Sequence, residues 1–220
     1  FHPAPVESKP DSPGQRVVIL DGGFGGISTA TQLEHIFRRD PSLQISLVSQ
    51  SNYLLFTPML AEVAASALEA QHISSPVRVS LPRTQFHRAQ ADSIDTKRQA
   101  VSLRYAEDGS STELPYDHLV LALGSTPNFY GLPGMEENAF TLKSLEEATR
   151  LRNHVIAQLE QADVNPNEEE RRRRLTFPVA GGGFAGTELI AELFDLVHSV
   201  LRYYPNTPVL FLFAANDSII

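Results

Sequence analysis

Two glycine clusters hold the residues of this chain whose types and spacing point most directly to chemistry. The first cluster consists of Gly22, Gly23, Gly25 and Gly26, and the second of Gly181, Gly182, Gly183 and Gly186. Each follows a short apolar run and precedes apolar residues at helical spacing, which predicts a strand, a tight turn and a helix. The first amides of a helix have no acceptor inside it, and with the positive end of the helix dipole they bind pyrophosphate. We therefore predict two nucleotide-binding turns in one chain.

The spacing of these glycines can be compared with the dinucleotide-binding fingerprint Gly-x-Gly-x-x-Gly. The second cluster matches all three glycine positions, whereas the first has Gly23 and Gly26 but Asp21 at the leading position. A glycine-rich turn can also join a strand to a helix without any ligand. Two copies of the pattern Gly-Gly-Phe-x-Gly in one chain favour a pair of nucleotide sites instead.

The elements around the first turn form a predicted βαβ unit. Residues 17–20 make its first strand and residues 45–48 its second. The helix between them has an apolar stripe that we expect to pack on the strand, formed by Phe24, Ile27, Ala30, Leu33 and Ile36. In dinucleotide-binding folds an acidic residue follows the second strand and binds the ribose. Here Ser49 and Gln50 stand at that place.

The middle of the chain predicts further strands and a connection. Residues 84–91 and 100–105 are typical of paired strands, and residues 119–125 of a buried strand that ends at a glycine turn. Residues 127–134 contain two prolines and two glycines, which is typical of a linker between domains.

The last part of the chain predicts a capped helix and the second nucleotide unit. Ser144 and Glu147 have the spacing of a capping box at the start of a helix. We interpret the arginine run 171–174 as part of a solvated connection, because three glutamates precede it. The second unit is then predicted as a strand over 175–180, a helix over 185–201 and a strand over 209–213.

The composition argues against several classes of function. The chain has 220 residues, a formal net charge of −8 and no cysteine. The negative charge argues against non-specific binding of nucleic acid. Without cysteine, disulfides, thiolate metal ligands and redox-active dithiols are excluded from these residues, and we predict no metal site. No run approaches the roughly 18 apolar residues of a membrane-spanning helix.

Four segments between residues 17 and 188 have a familiar order. They are VVIL-x-GGFGG, NYLLFTPML, YDHLVLALGS-x-x-NFYGLPG and AGGGFAGTE. This order resembles the type II NADH dehydrogenases (NADH:quinone oxidoreductases) of the FAD-dependent pyridine nucleotide-disulphide oxidoreductase superfamily. The resemblance implies an α/β fold with two Rossmann-like dinucleotide-binding domains, the second incomplete. It divides the chain into a flexible arm over 1–15, an FAD-binding domain over 16–127, a linker and helix over 128–174 and a partial NADH-binding domain over 175–220.

The resemblance also implies which residues bind FAD. Those near its pyrophosphate would be Gly22, Gly23, Phe24, Gly25 and Gly26. Those near the adenosine would be Ser49 and Gln50, beside the ribose, and Ala91, through its backbone. Those near the isoalloxazine ring would be Thr57, Pro58, Leu60, Ala122, Leu123 and Gly124.

For the second turn the resemblance implies NADH as the ligand and substrate. Its pyrophosphate would lie against Gly181, Gly183, Phe184, Ala185 and Gly186. Glu188 would be the catalytic residue, near the nicotinamide and the flavin. The implied reaction is hydride transfer from NADH to FAD, followed by two-electron reduction of a quinone.

The implied partners are NADH and a quinone, with no nucleic acid and with a homodimer as a further expectation. Contact with a membrane surface is expected only through a C-terminal region absent from this chain. The expected location is cytoplasmic, with full-length relatives peripheral on the inner membrane.

Two alternative interpretations remain open from the sequence. The chain could be a truncated or degenerate homologue that binds nucleotides weakly and does not turn over. It could also belong to an NADH-dependent ferredoxin-type reductase, which shares the same motifs. Disulfide reductases and sulfide:quinone reductases need cysteines for their chemistry, so the lack of cysteine disfavours both.

Overall fold

The computed structural model describes residues 14–204 and 209–214, so nearly all of the predicted arm lies outside the described residues. The chain divides into two compact units. The first unit comprises residues 1–54 and 75–126, and the second comprises residues 55–74 and 127–220. The segment 128–174, expected to be a linker and helix, therefore belongs to the second unit, together with a segment from the middle of the chain.

The strands follow one another along the chain as β1 (Arg16–Leu20), β2 (Gln44–Ser49), β3 (Tyr53–Leu55), β4 (Ser74–Pro76), β5 (Gln85–Asp95), β6 (Ala100–Tyr105), β7 (Ser111–Pro115), β8 (His118–Leu121), β9 (Thr176–Ala180) and β10 (Leu210–Ala214). The α-helices are α1 (Phe24–Ile36), α2 (Leu60–Ala64), α3 (Val77–Ser80), α4 (Met135–Asn138), α5 (Leu145–Asp163), α6 (Glu168–Arg174) and α7 (Phe184–Val200). Short 3-10 turns cover Thr57–Met59, Ala70–Ile73 and Leu201–Tyr203. None of the described helices is long and apolar enough to cross a membrane.

The first unit is built on a six-stranded sheet with the order β7-β6-β5-β2-β1-β8. The strands β8, β1, β2 and β5 run parallel, as a βαβ fold requires. Beyond its pairing with β2, β5 continues into an antiparallel pair with β6, and β6 pairs with β7. The predicted strand pairing of residues 84–91 with 100–105 is confirmed, and the α/β Rossmann-like fold class with it.

The strand β1 is buried on both faces of this sheet. Val17 and Ile19 pack in a core with Ile27 of α1, whereas Val18 and Leu20 belong to a second core on the opposite face. These four residues of β1 are at most 6 % exposed. An uninterrupted apolar run is the expected sequence of a parallel strand covered on both sides.

The predicted apolar stripe of α1 is only partly correct. Ile27 and Ala30 are buried and Leu33 packs against the same core, but Phe24 is 45 % exposed and Ile36 is 64 % exposed. Residues three apart in a helix of 3.6 residues per turn drift by about 60° at each step. A series of five such residues therefore winds around the helix, and its two ends leave the buried face.

The second unit contains the parallel pair β9 and β10 together with α2, α5, α6 and α7. Its core contains Val155 and Leu159 of α5 with Leu193 and Val197 of α7, all of which are at most 2 % exposed. The residues Leu60, Val63 and Ala64 of α2 belong to the same core. The predicted strand, helix and strand of this unit are confirmed with shifts of one residue at their ends.

Both ends of the chain segment 144–174 illustrate how local sequence sets local structure. The capping box of α5 is confirmed: the Glu147 N–H donates to Ser144 Oγ at 3.2 Å, and the Ser144 N–H donates to Glu147 Oε2 at 3.2 Å. The arginine run, interpreted as part of a solvated connection, is helical and forms the second half of α6. Glu170 pairs with Arg173 at 2.7 Å and with Arg174 at 2.8 Å, which is the spacing that stabilises a short helix.

Candidate functional site

The first predicted turn joins β1 to α1 by a close approach of two backbone segments. A Cβ atom placed on Gly26 would lie 1.9 Å from the carbonyl oxygen of Asp21. No real Cβ fits at that distance, so glycine is required at position 26 for the helix to leave the strand in this direction. Asp21 itself has φ +83°, in the left-handed region that glycine adopts most readily.

The second predicted turn, between β9 and α7, repeats this geometry. A Cβ atom on Gly186 would lie 2.0 Å from the carbonyl oxygen of Gly181, and Gly181 has φ +117°. Gly181 thus occupies the place that Asp21 has in the first turn, and Gly186 the place of Gly26. The repeated sequence pattern therefore has a repeated backbone conformation.

In each of these helices the N-cap residue itself has no side chain that could cap the helix. The N-cap residues are Gly23 for α1 and Gly183 for α7, and neither offers a side-chain cap. A Cβ on Gly183 would meet nothing within 4 Å, and one on Gly23 would meet only the carboxylate of Asp21. The backbone of both turns therefore leaves room beside the helix amides, as the pyrophosphate of a dinucleotide requires.

Several expected FAD-binding residues lie around the first turn. A Cβ on Gly22 would come within 3.0 Å of Ser49 Oγ, at the end of β2. A Cβ on Gly25 would come within 3.5 Å of the Ala122 Cβ. The Ala122 N–H also donates to the Leu20 carbonyl at 3.1 Å, which holds the end of β8 beside the end of β1. The structure thus brings Gly22, Gly25, Ser49 and Ala122 together at the carboxyl edge of the sheet.

The remaining residues expected at the FAD lie in more varied places. Leu123 and Gly124 are exposed and follow β8, Gln50 is exposed after β2, and Ala91 lies on β5 where it pairs with Leu103 of β6. Thr57, Pro58 and Leu60 belong to the second unit, where the first two are exposed. Leu60 is 2 % exposed within the core of that unit, so its side chain faces protein atoms and its expected role at the ring stays a prediction.

The residues expected at NADH surround the start of α7. Phe184 is 90 % exposed, and Gly181, Gly183, Ala185 and Glu188 are exposed as well, whereas Gly186 is half-buried. Glu188 is the fifth residue of α7, one helical turn after Phe184. These positions leave the side of the turn open to a ligand.

The structure also shows functional groups near the turns that the sequence analysis did not single out. Arg88 stands opposite Ser49 in the register of β5 with β2. Its Nε donates to the carbonyl oxygen of Gln50 at 3.3 Å, and its Nη1 lies 3.3 Å from Glu107 Oε1. A guanidinium therefore stands at the strand end where dinucleotide folds bind the ribose. Only the pairing of β5 with β2 could have revealed it, because 38 residues separate Arg88 from Gln50.

Three carboxylates within the second unit, those of Glu62, Glu192 and Asp195, form the other group that was missed. Burial, together with the neighbouring carboxylates of Glu62 and Asp195, raises the pKa of Glu192 on α7. Within the described residues, the buried Oε2 of Glu62 has no hydrogen-bond partner. Across residues 14–204 and 209–214, no three side chains of the metal-binding types are grouped so that they could hold a metal ion.

A family model for pyridine nucleotide-disulphide oxidoreductases matches residues 15–210, a span that includes both turns. The chain belongs to this family. The predicted superfamily is therefore confirmed.

The curated relatives agree with the resemblance seen in the sequence. An external alternative NAD(P)H-ubiquinone oxidoreductase B4 of Arabidopsis thaliana mitochondria is 37 % identical over 201 residues, which are 87 % of this chain and 34 % of that protein. A mitochondrial external alternative NADH-ubiquinone oxidoreductase of Yarrowia lipolytica is 31 % identical over 208 residues, covering 90 % of this chain and 35 % of that protein. The chain thus spans about a third of the length of these relatives.

The solved structures agree in fold. NDH2 of Plasmodium falciparum in complex with NADH matches with a TM-score of 0.80 at 23 % identity, over 88 % of this chain and 40 % of that one. The sulfide:quinone oxidoreductase of Aquifex aeolicus matches with a TM-score of 0.65 at 27 % identity, over 90 % of this chain and 43 % of that one. The family fold therefore accounts for most of the chain.

Proposed function

We propose that this chain carries the FAD-binding and NADH-binding turns of an NADH:quinone oxidoreductase. The observation that supports the proposal most strongly is that the two strand-turn-helix units share one backbone conformation. In the first, Gly26 packs against the carbonyl oxygen of Asp21, and in the second, Gly186 packs against that of Gly181. The names of the relatives add the electron donor, NAD(P)H, and the acceptor, ubiquinone. The relatives' mitochondrial designation makes the mitochondrion the proposed place of action, while the cytoplasmic location and the homodimer stay predictions.

In the first unit the amides at the start of α1 would hold the FAD pyrophosphate, close to Gly22 and Gly25. Ser49 would donate a hydroxyl hydrogen bond towards the adenosine ribose, and Ala122 would close the space beside the turn. FAD bound there would supply the chemistry that protein side chains lack, by accepting a hydride from NADH and giving two electrons to a quinone.

In the second unit the amides at the start of α7 would hold the NADH pyrophosphate. The exposed Glu188 lies one turn further along the same helix, where its carboxylate would position the nicotinamide end of the nucleotide. The proposed contribution of the protein is therefore binding and alignment of two nucleotides, which can supply several orders of magnitude in rate.

The proposal is tested by anaerobic reduction of the chain in excess FAD. We expect NADH to bleach the visible flavin band faster than it does with free FAD alone, and a soluble ubiquinone analogue to restore the band. If NADH reduces FAD no faster in the presence of the chain than in its absence, the proposed activity of this chain is contradicted.

A substitution of Glu188 examines the role of the second turn in the same assay. Glu188→Gln is expected to slow flavin reduction by roughly tenfold, because misplacement of the nicotinamide by a small distance is costly. NADH binding, which depends on the pyrophosphate, should change little. Asp195→Asn, an exposed substitution further along α7, is the matched control and should leave the rate unchanged.

A further inference from the structure

The two turns differ at two positions, Gly25 against Ala185 and Asp21 against Gly181, and only the second difference introduces a charged side chain. The first turn has an aspartate at φ +83°, and the second has Gly181 at φ +117°. Aspartate is among the few residues other than glycine that enter the left-handed region without a large penalty. The turn conformation is therefore kept, and a carboxylate is added to it.

The carboxylate of Asp21 reaches over the amino end of α1. Its Oδ2 accepts a hydrogen bond from the Gly23 N–H at 3.3 Å. The same oxygen lies 3.0 Å from the point that a Cβ on Gly23 would occupy, whereas nothing lies within 4 Å of the corresponding point at Gly183. In the first turn an acidic group thus occupies part of the space beside the helix start, whereas in the second turn this space is open.

No cation offsets this acidic group among the residues that the structure describes, because none of the ion pairs found there involves Asp21. A diphosphate that approaches the first turn must share the Gly23 amide with the carboxylate and stand beside a like charge. Like charges brought together at a binding site lower the affinity substantially.

We propose that Asp21 is an affinity-determining residue of the first turn, whose carboxylate competes with the diphosphate of FAD for the amino end of α1. The inference rests on the proposed function only in taking FAD as the ligand of that turn. It follows that this chain binds FAD reversibly and more weakly than the same fold with glycine at position 21.

A simpler role for Asp21 would be structural, since an aspartate that accepts the amide two residues ahead is a common turn device. The two roles make opposite predictions. If the side chain only stabilises the turn, its replacement loosens the turn and weakens FAD binding. If it competes with the diphosphate, its replacement strengthens FAD binding.

The test is equilibrium dialysis of the 220-residue chain against FAD, with wild type, Asp21→Asn and Asp21→Gly. Asparagine, like aspartate, can adopt the left-handed backbone conformation, but it carries no charge. Asp21→Asn therefore isolates the electrostatic effect. We expect its dissociation constant for FAD to fall by about tenfold or more. Asp21→Gly should bind at least as tightly as Asp21→Asn.

The matched control is Asp108→Asn. Asp108 accepts the Ser110 N–H at 2.9 Å in the connection between β6 and β7, so the substitution removes one charge from a similar turn. In the sheet order, β5 and β2 separate β6 from β1. FAD affinity should be unchanged in this variant.

The inference is overturned if Asp21→Asn binds FAD no more tightly than wild type, or if neither binds it. Should Asp21→Gly fail to fold, Asp21→Asn decides the question alone. Reduction of bound FAD by NADH is measured separately. If Asp21→Asn binds FAD more tightly but NADH does not reduce the bound FAD, the inference is supported and the proposed function is contradicted. If NADH reduces the bound FAD but Asp21→Asn binds FAD no more tightly, the proposed function is supported and the inference is contradicted.

Discussion

Gly26 and Gly186 are the residues on which the two turns depend most directly, because each lies against a backbone carbonyl. A Cβ at Gly186 would be 2.0 Å from the Gly181 oxygen, which belongs to the backbone and cannot rotate away as a side chain could. The cost of a methyl group there includes displacement of the strand from the helix, beyond the usual penalty of an overpacked site.

We predict that Gly186→Ala lowers the free energy of unfolding by about 3 kcal/mol or more, as measured by urea denaturation. Gly183→Ala is the control in the same turn. Its added methyl group meets nothing within 4 Å and its φ is −77°, so the change should stay within about 0.5 kcal/mol. Equal losses in both variants would contradict the close-approach interpretation.

Glu192 makes the stability of the folded chain depend on pH. Its pKa in the folded chain is raised above the ordinary value of 4.5 by burial and then by Glu62 and Asp195. A group with a raised folded pKa contributes stability below its unfolded pKa and loses it as pH rises through the folded value. At neutral pH the ionised Glu192 is therefore unfavourable for folding.

Glu192→Gln is accordingly predicted to raise the melting temperature at pH 7 by on the order of 2 °C, since the group is partly solvated. The gain should vanish near pH 4, where the carboxyl of the wild type is protonated. Glu188→Gln on the exposed face of the same helix should show neither effect. Thermal unfolding followed by circular dichroism at the two pH values measures this difference, and a gain that persists at low pH would refute the electrostatic cause.

At the scale of elements, α5 is the helix whose beginning is best defined. The Ser144 hydroxyl accepts the Glu147 N–H, and Glu147 accepts the Thr141 hydroxyl at 2.6 Å and the Lys143 N–H at 2.5 Å. These bonds to its carboxylate lower the pKa of Glu147 despite the burial that opposes them. The helix in turn carries Val155 and Leu159 into the core of the second unit.

Ser144→Ala should therefore destabilise the chain by about 1 kcal/mol, the usual cost of removing a helix cap. Ser144→Asp keeps an acceptor at the cap and should retain most of the stability. Chemical denaturation of both variants is the measurement, and equal destabilisation by alanine and aspartate would argue against capping.

Sequence patterns predicted those elements whose signals are local. The capping box of Ser144 and Glu147, the glycine spacing of both turns and the alternation of strands with helices each depend on neighbours within a few residues, and all appear in the structure. The stripe of α1 was overestimated at Phe24 and Ile36, because a spacing of three alone does not follow one face of a helix.

What the sequence could not predict depends on contacts distant along the chain. Arg88 reaches Gln50 only because β5 lies beside β2, and Leu60 is buried only because α2 packs with α5 and α7. The left-handed conformation of Asp21 and the reach of its carboxylate to Gly23 likewise follow from how α1 leaves β1. Such features set the chemistry of the candidate site, although the motifs alone located it.

At the scale of the whole molecule, each of the two units has its own core and one glycine turn. The account assigns one dinucleotide to each turn, FAD to the first and NADH to the second. Position 25 and position 185 are equivalent, since each is the second residue of the helix that begins at its turn. An aspartate at the start of a helix is favourable for the helix dipole, so it tests ligand binding without opposing the fold.

The measurement that tests this assignment most directly is equilibrium dialysis of Gly25→Asp and Ala185→Asp against FAD and against NADH. The account predicts that Gly25→Asp weakens FAD binding by about tenfold or more and leaves NADH binding unchanged, while Ala185→Asp does the opposite. If both substitutions weakened the same nucleotide, or if neither changed any affinity, the assignment of one nucleotide to each turn would be contradicted.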